Sequence, residues 1–163
     1  EEQNLCEIAE FACKYPVHVR FIEMMPIGYG SSFTGMSQEK IVSLLEERFG
    51  RLVPYEGEPL GNGPCKYYIV KGFQGKIGFI SAISHKFCSE CNRIRLTSQG
   101  YLKTCLQYTA GRDLREVLRN GGTDEELKEI IKEALSEKPD GHHFREKAKE
   151  DDTESLCMSQ IGG

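Results

Sequence analysis

Three cysteines constrain this chain more than any other feature. Cys88 and Cys91 are separated by two residues, and Cys105 follows after thirteen more, a C-x2-C-x13-C pattern. Thiolates at that spacing can close on one soft metal centre only if the chain doubles back between Cys91 and Cys105. The intervening residues have the means to do so. Arg93 to Thr97 and Tyr101 to Cys105 read as two strands about a Ser98-Gln99-Gly100 turn, a hairpin that returns Cys105 toward the Cys88–Cys91 end. Arg93 and Arg95 stand at alternate positions of the first strand, so their side chains share a face. One segment therefore offers thiols for a metal and, beside them, a forked pair of guanidinium groups suited to phosphate.

Spacing alone leaves two metals open. A structural zinc takes four protein ligands, and His85, three residues before Cys88, would complete a Cys3His set. An iron–sulfur cubane is normally held by four thiolates, so three would leave one iron open to another ligand.

The rest of the chain reads as α/β. Residues near 4 to 15 carry Leu5, Ile8, Ala12 and Tyr15 at helical spacing, and Pro16 ends the run. Val17, Val19 and Phe21 alternate along a strand, and a helix followed by such a strand is a βα-barrel fragment. Met25 and Pro26 fall where a barrel strand opens into its loop, and residues 27 to 35 form a glycine- and serine-rich loop expected to be mobile. Ser37 suits an N-cap and Gly50 a stop for a helix between them, while residues 51 to 64, rich in proline and glycine, read as loop. Strands are expected over Lys66–Val70 and Lys76–Ile83. Asp113 with Glu116 and Thr123 with Glu126 announce two further helices. Lys138 to Glu154 is charged and aperiodic, and His142 and His143 within it read as solvated.

Composition narrows the class. A net charge of −4 disfavours nucleic acid as a partner. No apolar run approaches a membrane span, no secretory signal is visible, and seven cysteines is an odd number, which points to cytoplasmic thiols rather than a disulfide framework. If the chain is part of a barrel, its core is incomplete and apolar surface is exposed.

Four segments resemble one family. Phe87 to Leu106, FCSECNRIRLTSQGYLKTCL, is similar to the carboxy-terminal cluster motif of the GTP 3′,8-cyclases, radical S-adenosylmethionine enzymes that begin molybdenum cofactor synthesis. Val19 to Pro26, Gly72 to Ile80 and the final Ile161-Gly162-Gly163 resemble further family segments in the same order. The resemblance implies a fold: the carboxy-terminal part of an incomplete TIM-type (βα) barrel, residues 1–50, extended by antiparallel hairpins carrying the cluster, residues 51–163. It implies that Cys88, Cys91 and Cys105 bind a 4Fe-4S cluster, that Arg93 and Arg95 bind GTP, that Met25 contacts S-adenosylmethionine, and that Gly162 and Gly163 reach the active site. His85 is then no ligand, and Cys6, Cys13, Cys65 and Cys157 are structural or surface thiols.

The family's amino-terminal C-x3-C-x2-C motif does not occur here, since Cys6, Cys13 and Cys65 lack that spacing. The expectation is a carboxy-terminal half, inactive alone, whose partners are GTP, the amino-terminal half and, as an open possibility, a second copy in a homodimer. The complete enzyme would convert GTP to 3′,8-cyclo-GTP through a 5′-deoxyadenosyl radical. A zinc-stabilised binding module is the competing class. A radical enzyme that binds peptide through an auxiliary cluster is a third, which the arginine pair and the diglycine end argue against.

Overall fold

The computed structural model describes residues 4–144, 154 and 156–161, so Gly162 and Gly163 lie outside the described residues. The chain is α/β and divides into two compact units, Glu1–Met24 with Thr34–Phe87, and Met25–Phe33 with Cys88–Gly163.

The first unit begins with α1 (Leu5–Lys14), where the Asn4 side chain accepts from the Glu7 N–H. Ala9 and Ala12 are sealed, and such small side chains let the helix lie close on its neighbours. β1 (Val19–Ile22) follows, then α2 (Gln38–Phe49), β2 (Leu52–Pro54), β3 (Lys66–Val70) and β4 (Ile77–Ile80). Ser37 caps α2 through the Lys40 N–H, and Gly50 ends it at φ +83°, a conformation costly for any residue with a Cβ. The sheet order is β1-β4-β3-β2, with β1 parallel to β4 and the other pairs antiparallel. Phe21, Val70, Ile77 and Phe79 point to one face and form a core with Ala9, Ala12 and Leu45 of the helices. The sheet does not close: β1 and β2 are edges. Ile22, Val53 and Ile69 lie on its second face and are exposed, as are Phe11 of α1 and Tyr15 just after it.

Two expectations need correction here. Residues 51 to 64 are not all loop, because β2 pairs with β3; Pro54 is tolerated since β2 is an edge and Pro54 is its last residue. The strand expected over Lys76–Ile83 stops at Ile80. The Glu23 carboxylate accepts from the Ile83 and Ser84 N–H groups at 2.8 and 2.9 Å, which turns the backbone out of the ladder.

The second unit holds a three-stranded antiparallel sheet, β5 (Arg95–Leu96), β6 (Tyr101–Lys103) and β7 (Gly111–Asp113), in sequence order. The β5–β6 hairpin forms as expected but is shorter, and its turn places Gly100 at φ +83°. β7 was not foreseen. It runs directly into α3 (Leu114–Arg119), where Asp113 caps by accepting from the Glu116 N–H at 3.0 Å. α4 (Asp124–Ser136) opens with the full Thr123–Glu126 capping box. The loop at residues 27 to 35 contains a short 3-10 turn, Gly28–Ser32, with Ile27 buried at its start.

The solvated reading of Lys138 to Glu154 is overturned where the segment is described. His142 and Glu154 are buried; His143 alone of the two histidines is exposed. Among the described residues no helix is long and apolar enough to cross a membrane.

Candidate metal centre

Cys88 opens a 3-10 turn, Cys88–Glu90, closed by the Cys91 N–H donating to the Cys88 carbonyl at 3.1 Å. The hairpin then sets the third thiol. Arg95 pairs with Lys103 and Leu96 with Leu102, and Arg93 and Cys105 lie just beyond the paired residues on the two sides of the hairpin. Cys88, Cys91 and Cys105 are all reduced and half-buried. Arg95 is half-buried too. Burial lowers its hold on its proton, the Cys91 and Cys105 thiols oppose that shift, and the neighbouring Arg93 adds to it. Two of the three thiols and both arginines thus share one electrostatic neighbourhood.

Among the described residues no group of three or more Cys, His, Asp or Glu side chains is arranged to hold a metal ion. An iron–sulfur cubane is held by thiolates. The donor set fits that group: three free thiols on one turn and one hairpin, with cations beside them. His85 is occupied elsewhere. Its Nδ1 lies 3.2 Å from the Ser84 hydroxyl and its Nε2 3.9 Å from the Glu39 carboxylate, and the side chain is exposed.

A contribution invisible in the sequence comes from the residues after α4. The Lys138 ammonium donates to the carbonyls of Cys91 and Arg93, at 2.5 and 3.0 Å. The Gly141 carbonyl accepts from the Tyr108 hydroxyl at 3.4 Å, and the His143 N–H donates to Gln107 Oε1 at 2.6 Å. Nothing in the residue pattern singles out Lys138, since a lysine following a helix is ordinarily a solvated end.

Met25 is half-buried just beyond the end of β1, and its carbonyl accepts from Ile27 N–H at 2.8 Å. Near the described end of the chain, Glu154 forms a buried ion pair with Lys103, and Ile161 is sealed. In the first unit Arg20, Gly78 and Tyr67 lie side by side across three strands. Arg20 Nε donates to the Tyr67 hydroxyl at 2.6 Å, and a Cβ on Gly78 would sit 2.5 Å from the Cys65 sulfur. Burial pushes both the Cys65 thiol and the Tyr67 hydroxyl up from their ordinary values. Nothing in the residue pattern marks Cys65 as more than a structural or surface thiol, and only strand register brings this row together.

Residues 17–144 match the Molybdenum Cofactor Synthesis C family. The chain belongs to that family. It is similar to a protein named GTP 3′,8-cyclase from Clostridium perfringens (strain 13 / Type A), 45% identical over 163 residues, 99% of this chain and 49% of that protein. Proteins of the same name from Syntrophomonas wolfei and Gloeobacter violaceus are each 40% identical over 99% of this chain. The chain spans about half the length of these curated relatives. The family match includes Met25, the three cysteines, both arginines and Lys138; Glu154 to Ile161 lie beyond it.

Proposed function

We propose that this chain provides the second 4Fe-4S cluster site and the GTP site of a GTP 3′,8-cyclase in molybdenum cofactor biosynthesis, a cytoplasmic activity. The rest of the relatives' length would supply S-adenosylmethionine cleavage, and alone this chain would cleave none. In that protein β1 would continue a TIM-type barrel. Its parallel pairing with β4, its edge position and the exposed apolar residues on the open face support that reading.

The observation that carries the proposal is Arg95, a half-buried guanidinium acted on by both Cys91 and Cys105. Cys88, Cys91 and Cys105 would hold the cluster, which when bound by three thiolates supplies an iron able to accept a donor atom of the guanine base. Arg93 and Arg95 would anchor the nucleotide's phosphates. Arg95 has already lost part of its water, so an anion meets it with less desolvation than a solvated arginine demands. Holding the base at the cysteines and the phosphates at the arginines orients the ribose between them, which is a large part of what the protein contributes. Met25 would face S-adenosylmethionine, and Gly162 and Gly163 would enter the site, where the absence of side chains leaves room.

Anaerobic reconstitution with iron and sulfide tests this. One 4Fe-4S cluster should load; Cys88→Ala, Cys91→Ala and Cys105→Ala should prevent loading, and His85→Ala should not. Arg95→Ala in the cluster-loaded protein should weaken GTP roughly ten- to hundredfold, the worth of one charge-assisted bond. Equal metal loss from His85→Ala and Cys88→Ala would favour the Cys3His zinc module instead.

A further inference from the structure

We infer that residues 137–143 are a strap across the cysteine turn, and that Lys138 is a positioning residue for Cys91 and Arg93. The inference rests on reading the three cysteines as one centre. Three observations carry it. First, Glu137 fixes where the chain leaves α4, its carboxylate taking a 2.6 Å hydrogen bond from Arg112, the central residue of β7. Second, the Lys138 ammonium bridges the carbonyls of Cys91 and Arg93, the residues on either side of Asn92. A single cation thereby holds the peptide group that follows Cys91, a proposed metal ligand, and the one that follows Arg93, a proposed phosphate ligand. Third, the strap meets the chain beside each of the other cysteines. A Cβ on Gly141 would lie 4.0 Å from Cys88 Cβ, while Tyr108 and the fully buried Gln107, just past Cys105, hold the Gly141 carbonyl and the His143 N–H.

The chemistry follows from charge. Among the described residues Lys138 makes no ion pair; two carbonyl dipoles hold it. Its charge is thus left to act on whatever Cys91 binds. A fixed cation one residue's reach from a thiolate ligand favours the more negative state of a bound cluster, and raises its reduction potential. The same ammonium sets the direction in which Arg93 leaves the turn.

The test compares Lys138→Met, Lys138→Arg and the surface control Lys132→Met in the intact protein. In metal-free protein, hydrogen exchange at residues 91–95 should quicken in Lys138→Met and not in the control. After reconstitution, Lys138→Met should bind GTP about ten- to a hundredfold more weakly, the range for groups that orient ligands, and show a more negative midpoint potential. Lys138→Arg, which keeps the charge, should keep the potential. Wild-type exchange, affinity and potential in Lys138→Met would overturn the inference, as would a potential shifted equally in Lys138→Arg. Should Lys138→Met fail to fold, Tyr108→Phe, which removes the Gly141 contact, must quicken exchange across 138–143; unchanged exchange there overturns the strap. Failure of the wild type to take up iron refutes the cluster reading alone, because the exchange comparison needs no metal.

Discussion

Removing the charge of Glu154 should be among the most damaging single changes in the second unit. The Lys103 and Glu154 side chains are 3% and 5% exposed, so neither charge is screened by water. The surrounding groups are built around the pair. Lys103 also donates to the Tyr108 carbonyl at 2.8 Å, the Glu154 N–H donates to the Gln107 carbonyl at 2.6 Å, and Glu154 Oε1 accepts from Leu156 N–H at 2.9 Å. Glu154→Gln keeps the shape and leaves an ammonium buried without its counter-charge. Breaking a buried pair from one side costs about 3–5 kcal/mol. For a chain of this size each kcal/mol moves the melting temperature by about 2–4 °C, so the expected fall is about 6–20 °C. Lys103→Met with Glu154→Leu removes both charges and should recover most of the loss, since buried pairs are often replaceable by apolar side chains of similar volume. Urea unfolding followed by circular dichroism reads all three proteins. A loss below about 1 kcal/mol in Glu154→Gln would refute the argument, because that is how a solvent-exposed pair behaves.

Two other perturbations test the first unit. His18 is exposed overall, but partial desolvation of its ring, with smaller contributions from Lys76 and Arg20, lowers its pKa, and its Nδ1 accepts from the Lys76 N–H at 3.2 Å, which requires the neutral ring. The folded state therefore takes up this proton later than the unfolded chain, so stability should fall as pH drops through the ordinary imidazole value of about 6.5 and level off below the lower folded value. His18→Gln should lose less stability than wild type between pH 7.5 and 5.5, measured by urea midpoints; parallel losses would remove His18 as the cause. Gly78→Ala would bring a Cβ to 2.5 Å from the Cys65 sulfur and 3.0 Å from the Tyr67 ring, and should cost about 1–3 kcal/mol, with Cys65→Ala restoring much of it in the double variant. A neutral Gly78→Ala would mean that the row across the three strands is loosely packed.

What the sequence made legible was local. Ser37, Gly50 and the Thr123–Glu126 box act within one helical turn, and Gly100 within one hairpin, so their effects do not wait on the rest of the fold. The hairpin between Cys91 and Cys105 was legible for the same reason, since its turn is encoded in the residues it joins. β2 was hidden because Pro54 and its neighbours read as breakers until β3 lies alongside. Glu23 was hidden in another way: its carboxylate ends a strand sixty residues later in the chain. Lys138, His142 and Glu154 were misread together. Charged or polar residues without a period look solvated, and only tertiary contact reveals that Glu154 is sealed and Lys138 engaged.

The distribution of charge around the cysteines has a consequence of its own. The chain carries a net charge of −4, yet Arg93, Arg95 and Lys138 gather at the cysteine turn. Among the described residues none of the three makes an ion pair with a carboxylate within 4 Å. Lys103, directly across from Arg95 in the sheet, is the cation that does, and its partner Glu154 comes from the far end of the chain. Had Glu154 paired with Arg95 instead, the guanidinium would be neutralised before any anion arrived. Pairing the carboxylate with Lys103 leaves the arginines unspent beside the Cys91 and Cys105 thiols, which would bring negative charge of their own as metal ligands. The proposed site would have to bind anionic sulfur and an anionic nucleotide together, which calls for surplus positive charge held in place, and this arrangement is suited to that.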